Sequence, residues 1–253
     1  MSFIHLRVAS GYSFKYGTAH ADQLVARASE FGMSALALTD RDGLPGAIRF
    51  VQSCEANGIT PILGVNLSFL QKKYRITLLA QEGSLASLYR LLSAMNQQDE
   101  KVLTFELLQK NIEYSSQLLA MHGPDSYLAS TVMARRHQEA LSIFNSTREL
   151  FADQACEIVS HRAKEGSAFS TSHAARLLTF ARESAIPALL TNAVRMLDRE
   201  DGPAIMSWTQ SGCLRKKEWY LNDKLHCMTG PAFETFYNNG KPEIQRWFKN
   251  GKT

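Results

Sequence analysis

Four stretches of the chain carry polar and charged side chains where a short apolar run ends. They are residues 5–13, 38–43, 61–66 and 190–195. Three of the stretches contribute an arginine, Arg7, Arg41 or Arg195, and the second also contributes Asp40. A guanidinium group stays protonated and has no lone pair for a metal ion, whereas its planar fork of donors matches a phosphate. Three arginines that met in one pocket would therefore bind a phosphate or a nucleotide.

Other kinds of site have little support in the sequence. The four cysteines stand far apart and form no Cys-x-x-Cys pair, so neither a disulfide framework nor a zinc site is predicted. Ser10 and Ser13 lie in no Gly-x-Ser-x-Gly turn and have no recognisable base, which favours turn and capping roles. Glycine-rich phosphate loops are absent from the sequence.

The elements that position these residues follow from the apolar pattern. Seven β-rich runs are predicted as strands, at residues 4–9, 35–39, 60–67, 75–80, 117–121, 156–160 and 188–191. Between the first two runs, a helix is expected to be capped by Thr18 and to end at Gly32; the next has Pro45 in its first turn and ends at Gly58. Such β-α-β units predict an α/β fold with a parallel sheet, open or closed into a barrel, and functional groups at the carboxyl ends of its strands.

Length and composition set the class of protein. The chain has 253 residues, 45% of them hydrophobic, and a formal net charge of +4. This is enough for one large domain, or for a smaller domain with an appendage. No basic region followed by an apolar run opens the chain, and no apolar run approaches the ~18 residues that span a bilayer. We therefore expect a soluble, cytoplasmic protein that does not associate with membranes.

The last fifty residues contain an internal repeat. A shift of 28 residues pairs Gly202-Pro203-Ala204 with Gly230-Pro231-Ala232 and Trp219-Tyr220 with Trp247-Phe248. Tight-turn dipeptides in both copies, Asn222-Asp223 and Asn250-Gly251, predict a hairpin in each. The sequence thus predicts a domain at residues 1–200 and a β-rich repeat tail at residues 201–253. Fewer than two full copies cannot bury an aromatic face alone, so the tail packs on the first domain, pairs with another chain or continues an array.

The four polar stretches resemble the PHP (polymerase and histidinol phosphatase) domains of bacterial DNA polymerase III alpha subunits. The corresponding family motifs read roughly H-L-H-V-H-S-x-Y-S-x-x-D-G, L-T-D-H-D-G, P-I-x-G-x-E and T-N-D-V-H-Y. Their order, spacing and flanking residues agree with this chain over about residues 3–201. The resemblance implies a distorted seven-stranded (β/α)7 barrel, followed here by a small appendage of hairpins.

In this family, histidines and carboxylates hold a cluster of two or three metal ions that activates water against a phosphoester. In this chain the resemblance places the ligand positions on Arg7, Ala9, Tyr16, Asp40, Arg41, Asn66, Ala193 and Arg195. Only Asp40 keeps a ligand, and His161 aligns with a further family histidine. The resemblance therefore implies that no metal or other cofactor binds, and that Asp40 and His161 are the only remnants of a catalytic site.

Two interpretations of the replaced site remain. In the one we favour, Asp40 and an arginine form a salt bridge that ties together strand ends once held by metals. In the other, Arg7, Arg41 and Arg195 bind a phosphate or a nucleotide at the mouth of the barrel.

The resemblance implies a non-catalytic PHP domain, a pseudoenzyme that acts as a structural or interaction module related to DNA replication or repair. It would have no polymerase activity on its own, and its partners would be replication or repair proteins. The first alternative is a residual metal-dependent phosphoesterase or 3′–5′ exonuclease that binds zinc or manganese through Asp40, Asp42 and His161. The second is a nucleic-acid-binding protein that uses the basic tail.

The tail itself resembles a repeat of phage and bacterial proteins with the core W-Y-x-N-G-K-x-H-R-x-x-G-P-A. Residues 219–226 and 230–232 carry this likeness, with Asp223 in place of the usual glycine and Cys227 in place of the usual arginine. Adhesion or self-association through the tail is the role that we prefer.

Overall fold

A computed structural model of the chain describes residues 3–14, 16–161 and 163–194, and then 205–208, 214–221, 224–227, 230–237, 239–249 and 251–252. The chain divides into two compact units, Met1–Arg195 and Met196–Thr253. No helix in these described ranges is long and apolar enough to cross a bilayer.

The first unit is built on one curled six-stranded sheet with helices packed on it. In sheet order, which is also chain order, the strands are β1 (Ala35–Arg41), β2 (Thr60–Phe69), β3 (Gln71–Ala80), β4 (Leu118–His122), β5 (Asp153–Ile158) and β6 (Ala188–Leu190). The helices are α1 (Ala21–Glu30), α2 (Ala47–Ala56), α3 (Leu85–Asn96), α4 (Phe105–Lys110), α5 (Ile112–Ser115), α6 (Tyr127–Met133), α7 (His137–Arg148) and α8 (Thr171–Glu183). An α/β half-barrel results, in agreement with the predicted fold class.

The first two helices agree closely with the helices predicted from the sequence. Helix α1 begins two residues later than expected, because His20 rather than Thr18 is its N-cap residue, and the His20 backbone N–H donates to Gln23 Oε1 at 2.9 Å. Gly32 and Gly58 follow α1 and α2 with φ of 63° and 66°, the left-handed conformation that ends a helix. The helices thus return the chain to β1 and β2 as the β-α-β pattern predicts.

The direction of β3 departs from the predicted parallel sheet. Strand β3 pairs antiparallel with both β2 and β4, whereas β1–β2, β4–β5 and β5–β6 are parallel. Only Leu70, with a φ of 60°, separates β2 from β3. One residue allows a hairpin but not the crossover of a dozen or more residues that parallel neighbours need. The prediction of a wholly parallel sheet is therefore wrong at β3.

The first predicted strand, residues 4–9, lies beside the sheet without forming a regular strand. The Ala37 and Thr39 N–H groups of β1 donate to the carbonyls of His5 and Val8 at 2.9 and 2.7 Å. On its other side, Val8 forms a single parallel bridge with Val194. This segment brings Arg7 between β1 and the residues that follow β6, and a complete seven-stranded barrel stays a prediction.

Two apolar clusters fix the sheet beneath the strand ends. One packs β2 and β3 on α3 and includes Leu67, Ile76 and Leu88, all fully buried. The other packs β5 on α6, α7 and α8 and includes Leu128 and Leu177. The polar strand ends therefore lie on a rigid base.

The elements that the structure describes in the second unit are short strands. Strands β7 (Ile205–Trp208), β8 (Leu214–Glu218), β11 (Phe233–Phe236) and β12 (Pro242–Arg246) form an antiparallel sheet in the order β12-β11-β8-β7. Strands β9 (Tyr220–Leu221) and β10 (Lys224–Leu225) form a separate antiparallel pair. The turn residues Asn222, Asp223 and Asn250 lie outside the described residues.

Candidate functional site

Arg7 is the centre of a buried ion-pair network at the carboxyl ends of the strands. The residue is 3% exposed. Its Nη1 and Nη2 donate to the two carboxylate oxygens of Asp125 at 3.1 and 2.6 Å, and Nη1 also donates to Glu157 Oε2 at 2.8 Å. The Arg7–Asp125 pair is bidentate, which is the strongest geometry for a guanidinium and a carboxylate.

The partners of Arg7 come from separate parts of the sheet. Asp125 follows β4, and Glu157 lies in β5 with no exposed surface. The second oxygen of Glu157 accepts a hydrogen bond from Thr191 Oγ1, just after β6. Arg7 thus connects the amino-terminal segment to the ends of β4 and β5, and Glu157 extends the network to the residue after β6.

Gly123 makes room for this network. A Cβ atom at this position would collide with the Glu157 carboxylate and would lie 2.6 Å from Arg7 Nη1. Any larger residue at position 123 would push apart the ion pair between Arg7 and Glu157. The glycine is therefore part of the site, although its own side chain does no chemistry.

The pKa values show that the network is electrostatically coupled. Burial acts to raise the pKa of the Asp125 carboxyl, but the charge and hydrogen bonds of Arg7 outweigh it and hold that pKa below its ordinary value. Burial likewise acts to lower the pKa of Arg7, but Glu157 and Asp125 raise it well above its ordinary value. Arg7 and Asp125 therefore stay charged around neutral pH.

Asp40, which the sequence resemblance aligns with a family ligand, is fully buried in β1 and accepts hydrogen bonds from serines. Oδ1 accepts from the Ser10 backbone N–H and from Ser13 Oγ, both at 2.7 Å, and Oδ2 accepts from Ser10 Oγ at 2.8 Å. Within the described ranges, the salt bridge that we expected between Asp40 and an arginine is not formed. The serines, to which the sequence interpretation gave only turn and capping roles, are the partners of Asp40.

Asn66, where the family motif has a glutamate, is held by Arg75. Arg75 Nε donates to Asn66 Oδ1 at 2.9 Å, and Asn66 Nδ2 donates to Thr77 Oγ1 at 2.8 Å. Arg75 Nη1 donates further to Ser68 Oγ at 2.9 Å and to Asp42 Oδ2 at 3.0 Å. The reversed direction of β3 places Arg75 opposite Ser68, at the same end of the sheet as Arg7.

Arg41 differs from Arg7 and Arg75 because it has no ion pair within the described part of the chain. Its guanidinium carbon lies 3.4 Å from the centre of the Tyr16 ring. Its Nε is buried, and no described residue accepts a hydrogen bond from it. Burial, followed by the charge of Arg75, lowers the pKa of Arg41. This guanidinium is stacked but not neutralised.

The structure describes three of the remaining predicted positions, Ala9, Ala193 and His161. Ala9 and Ala193 are buried methyl groups. His161 Nε2 lies 2.6 Å from the Asn192 carbonyl oxygen, and its ring stacks on Phe169 at 5.0 Å. Arg195 lies outside the described residues, so its place in an anion site stays a prediction.

The donor set does not fit the family's metal cluster. In the described ranges, no group of three or more histidines, cysteines or carboxylates could hold a metal ion. Glu157 and Asp125 are bonded to Arg7, and the oxygens of Asp40 are bonded to serine donors. A divalent ion would have to displace a guanidinium and several hydrogen bonds to gain these oxygens.

Sequence reasoning missed four residues of the site: Gly123, Asp125, Glu157 and Arg75. For Glu157 a signal was available, since it is a lone carboxylate inside the apolar run of residues 156–159. A carboxylate in a buried strand is almost always paired, which implies a buried cation elsewhere in the fold. The position of that cation could not be read from local pattern.

Comparison with known proteins agrees with this architecture. A model of the PHP domain family matches residues 5–161. The error-prone DNA polymerase of Symbiobacterium thermophilum is 45% identical over 95 residues, which are 37% of this chain and 9% of that polymerase. DNA polymerase III subunit alpha of Bacillus subtilis is 28% identical over 211 residues, 81% of this chain and 18% of that subunit. The chain thus matches less than a fifth of the length of these relatives.

Among solved structures, an amidohydrolase from Chromobacterium violaceum superimposes with a TM-score of 0.51 and 13% identity, over 77% of this chain and 88% of that one. This similarity concerns the fold alone. The family model covers more than half of the chain, and the chain belongs to the PHP domain family.

Proposed function

We propose that this chain is a non-catalytic PHP domain that serves as a structural or interaction module related to DNA replication or repair. The observation that carries the proposal is the buried network in which Arg7, at a family ligand position, binds Asp125 and Glu157.

The first support is chemical. Hydrolysis of a phosphoester by a metal cluster needs anionic or imidazole donors that are free to face the ions. The two carboxylates nearest to Arg7 are already neutralised by it, and the guanidinium fills the space between them. Its positive charge also repels a divalent ion.

The second support is structural. A metal cluster bridges the ends of several strands, and the Arg7 network bridges the same region with fixed charges: it connects the amino-terminal segment, the loop after β4 and strand β5. Removing one partner from a buried ion pair generally costs about 3–5 kcal/mol, because an uncompensated charge remains. The network would therefore stabilise the domain in place of metals.

The relation to replication or repair is inferred from the relatives, which are named DNA polymerase III subunit alpha and error-prone DNA polymerase. A domain that is stable and has no reactive centre would contribute surface rather than chemistry.

The test combines metal analysis with a hydrolysis assay. The purified chain would be analysed for zinc and manganese and assayed against bis(p-nitrophenyl) phosphate and 3′-ended single-stranded DNA, with and without added metal. We expect no stoichiometric metal and no turnover above background. Turnover that an isosteric Asp40→Asn variant abolishes would instead establish the phosphoesterase or exonuclease alternative.

We also propose that Arg41 binds a phosphate-sized anion, in a reduced form of the three-arginine hypothesis. Arg7 is occupied by two carboxylates, whereas Arg41 has no ion pair in the described part of the chain and keeps a buried Nε without an acceptor. Inorganic phosphate titrated into the chain should raise its unfolding temperature, and the rise should disappear in Arg41→Gln. No rise at millimolar phosphate would remove this proposal.

A further inference from the structure

The two copies of the tail repeat have the same strand ladder. Strand β11 begins at Phe233, 28 residues after the start of β7 at Ile205. Strand β12 begins at Pro242, 28 residues after the start of β8 at Leu214. The pairs also correspond, since Ile205 pairs with Glu218 and Phe233 pairs with Arg246. Both hairpins shift register at the same position. The repeat seen in the sequence is therefore a repeat of backbone geometry.

The two copies join through β8 and β11. These strands pair antiparallel, with Phe233 opposite Glu218, Glu234 opposite Lys217 and Thr235 opposite Lys216. This junction shows how the second strand of one repeat binds the first strand of the next. The three pairs define the register between one repeat and the next.

The outer strand β12 lacks this contact in the described part of the chain. Glu218, in β8, is 7% exposed, whereas Arg246 at the same place in the next copy is exposed. Trp219 is half-buried, but Trp247 is 59% exposed. In the sheet order β12-β11-β8-β7, β11 borders β8, whereas no described strand borders the outer side of β12. Burial at the repeated positions differs in the same sense, because the positions in and just after β8 are more buried than those in and just after β12.

We infer that β12 binds β7 of a second copy of this chain, in the register of the β8–β11 junction. A shift of one repeat places Arg246 opposite Ile205 of the second copy, Gln245 opposite Met206, and Ile244 opposite Ser207. The strands β7 and β12 lie at opposite edges of the sheet, so each copy has one edge of each kind. The contact is head-to-tail, and such contacts give chains of copies unless the rotation closes them into a ring.

The register also accounts for Pro242. Proline cannot donate to a strand ladder and is confined to strand ends and edges. In the proposed contact the ladder covers only residues 244–246, so Pro242 lies beyond it. The contact has three residue pairs, the same number that the β8–β11 junction shows.

Cysteine cross-linking of the full chain tests the register. Met206→Cys and Gln245→Cys would be introduced together, with Cys213→Ser and Cys227→Ser to remove competing thiols. Within one chain, residues 206 and 245 lie three strand spacings apart, about 14 Å, which is too far for a disulfide. A disulfide between them must join two copies. We expect covalent multimers under oxidising conditions, reversed by reductant, with the 206–245 link identified by mass spectrometry.

A matched control carries Met206→Cys and Ile244→Cys in the same background. A one-residue slip moves the second cysteine to the opposite face of the sheet, so this pair should lose the cross-link. Equal cross-linking of both pairs, or none in either, would overturn the inference. Sedimentation of the unsubstituted chain gives an independent readout, because a mass that rises with concentration is expected and a monomer at every concentration contradicts it.

Discussion

The electrostatic surroundings of Arg7 and of Arg41 differ, although both residues lie at the carboxyl ends of the strands. The sequence resemblance predicts that both positions correspond to metal-binding histidines of the PHP family. Arg7 is fully enclosed and paired with Asp125 and Glu157. Arg41 is half-buried, stacks on Tyr16 and has no carboxylate partner in the described ranges. We therefore expect Arg7 to stabilise the fold much more than Arg41 does.

The largest expected effect is the loss of Arg7. Arg7→Met would leave two buried carboxylates without a cation, and we expect the free energy of unfolding to fall by about 3–5 kcal/mol. Urea titration followed by circular dichroism measures it. The double variant Arg7→Met with Glu157→Gln should recover part of the loss, because one of the unpaired charges is removed. A loss within about 0.5 kcal/mol, typical of a surface substitution, would show that the network does not stabilise the domain.

The second-largest loss of stability is expected on substitution of Gly123, which lies next to the Arg7 network. Gly123→Ala places a methyl group against Glu157 and Arg7, and overpacking of this kind costs about 1–3 kcal/mol. Gly43→Ala is the matched control, since its Cβ would meet only Pro45 at an ordinary 3.6 Å. Thermal unfolding of the two variants should separate them. Equal behaviour would mean that the Arg7 network tolerates displacement.

Asp40 tests the hydrogen-bonded part of the site. Asp40→Asn replaces one acceptor oxygen by an N–H group that faces serine donors, so we expect a cost of about 1–3 kcal/mol from mispaired buried groups. The additional substitution Ser13→Ala removes one of those donors and should reduce the cost. If Asp40→Asn were neutral, the serine cluster would not hold the end of β1.

The smallest effect is expected at Arg41. Arg41→Met removes a cation that has no ion pair among the described residues, and the stacking on Tyr16 contributes about 0.5–1 kcal/mol. The free energy of unfolding should change by no more than this amount. A loss as large as that of Arg7→Met would remove the contrast between the two arginines.

The stability difference between the parent chain and Arg7→Met should become smaller in acid. The pKa of Asp125 is depressed in the folded chain because Arg7 outweighs the effect of burial. A depressed carboxyl pKa stabilises the fold above the unfolded value of about 3.9 and stops doing so as pH falls through the folded value. The difference between the parent chain and Arg7→Met, measured by urea titration at neutral pH and at about pH 2, well below the unfolded carboxyl pKa, should therefore shrink in acid. A difference that stayed constant would exclude Asp125 as its source.

The sequence predicted the fold class, the β-α-β units around α1 and α2, and the positions of Arg7, Asp40 and Arg41 at strand ends. These depend on local periodicity and on motif spacing. Asp125 and Glu157 are 118 and 150 residues from Arg7, and no local pattern encodes such a contact. The reversal of β3 had a usable signal, because no helical pattern separates its run from β2.

In the tail, by contrast, the sequence pattern matches the spacing of the strands. The 28-residue shift in the sequence matches the offset of its strands, because each repeat encodes its own hairpin. What the sequence could not provide is the register between repeats, which depends on how β8 and β11 meet.

The central claim is that an ion-pair network has taken the place of the family's metal cluster. It is tested most directly by the unfolding temperature of the chain after dialysis against a chelator, and again after addition of Zn²⁺ or Mn²⁺. A metal that binds only the folded chain must raise that temperature. We predict no change on either removal or addition. A rise that saturates at stoichiometric metal, and that Asp40→Asn abolishes, would contradict the account.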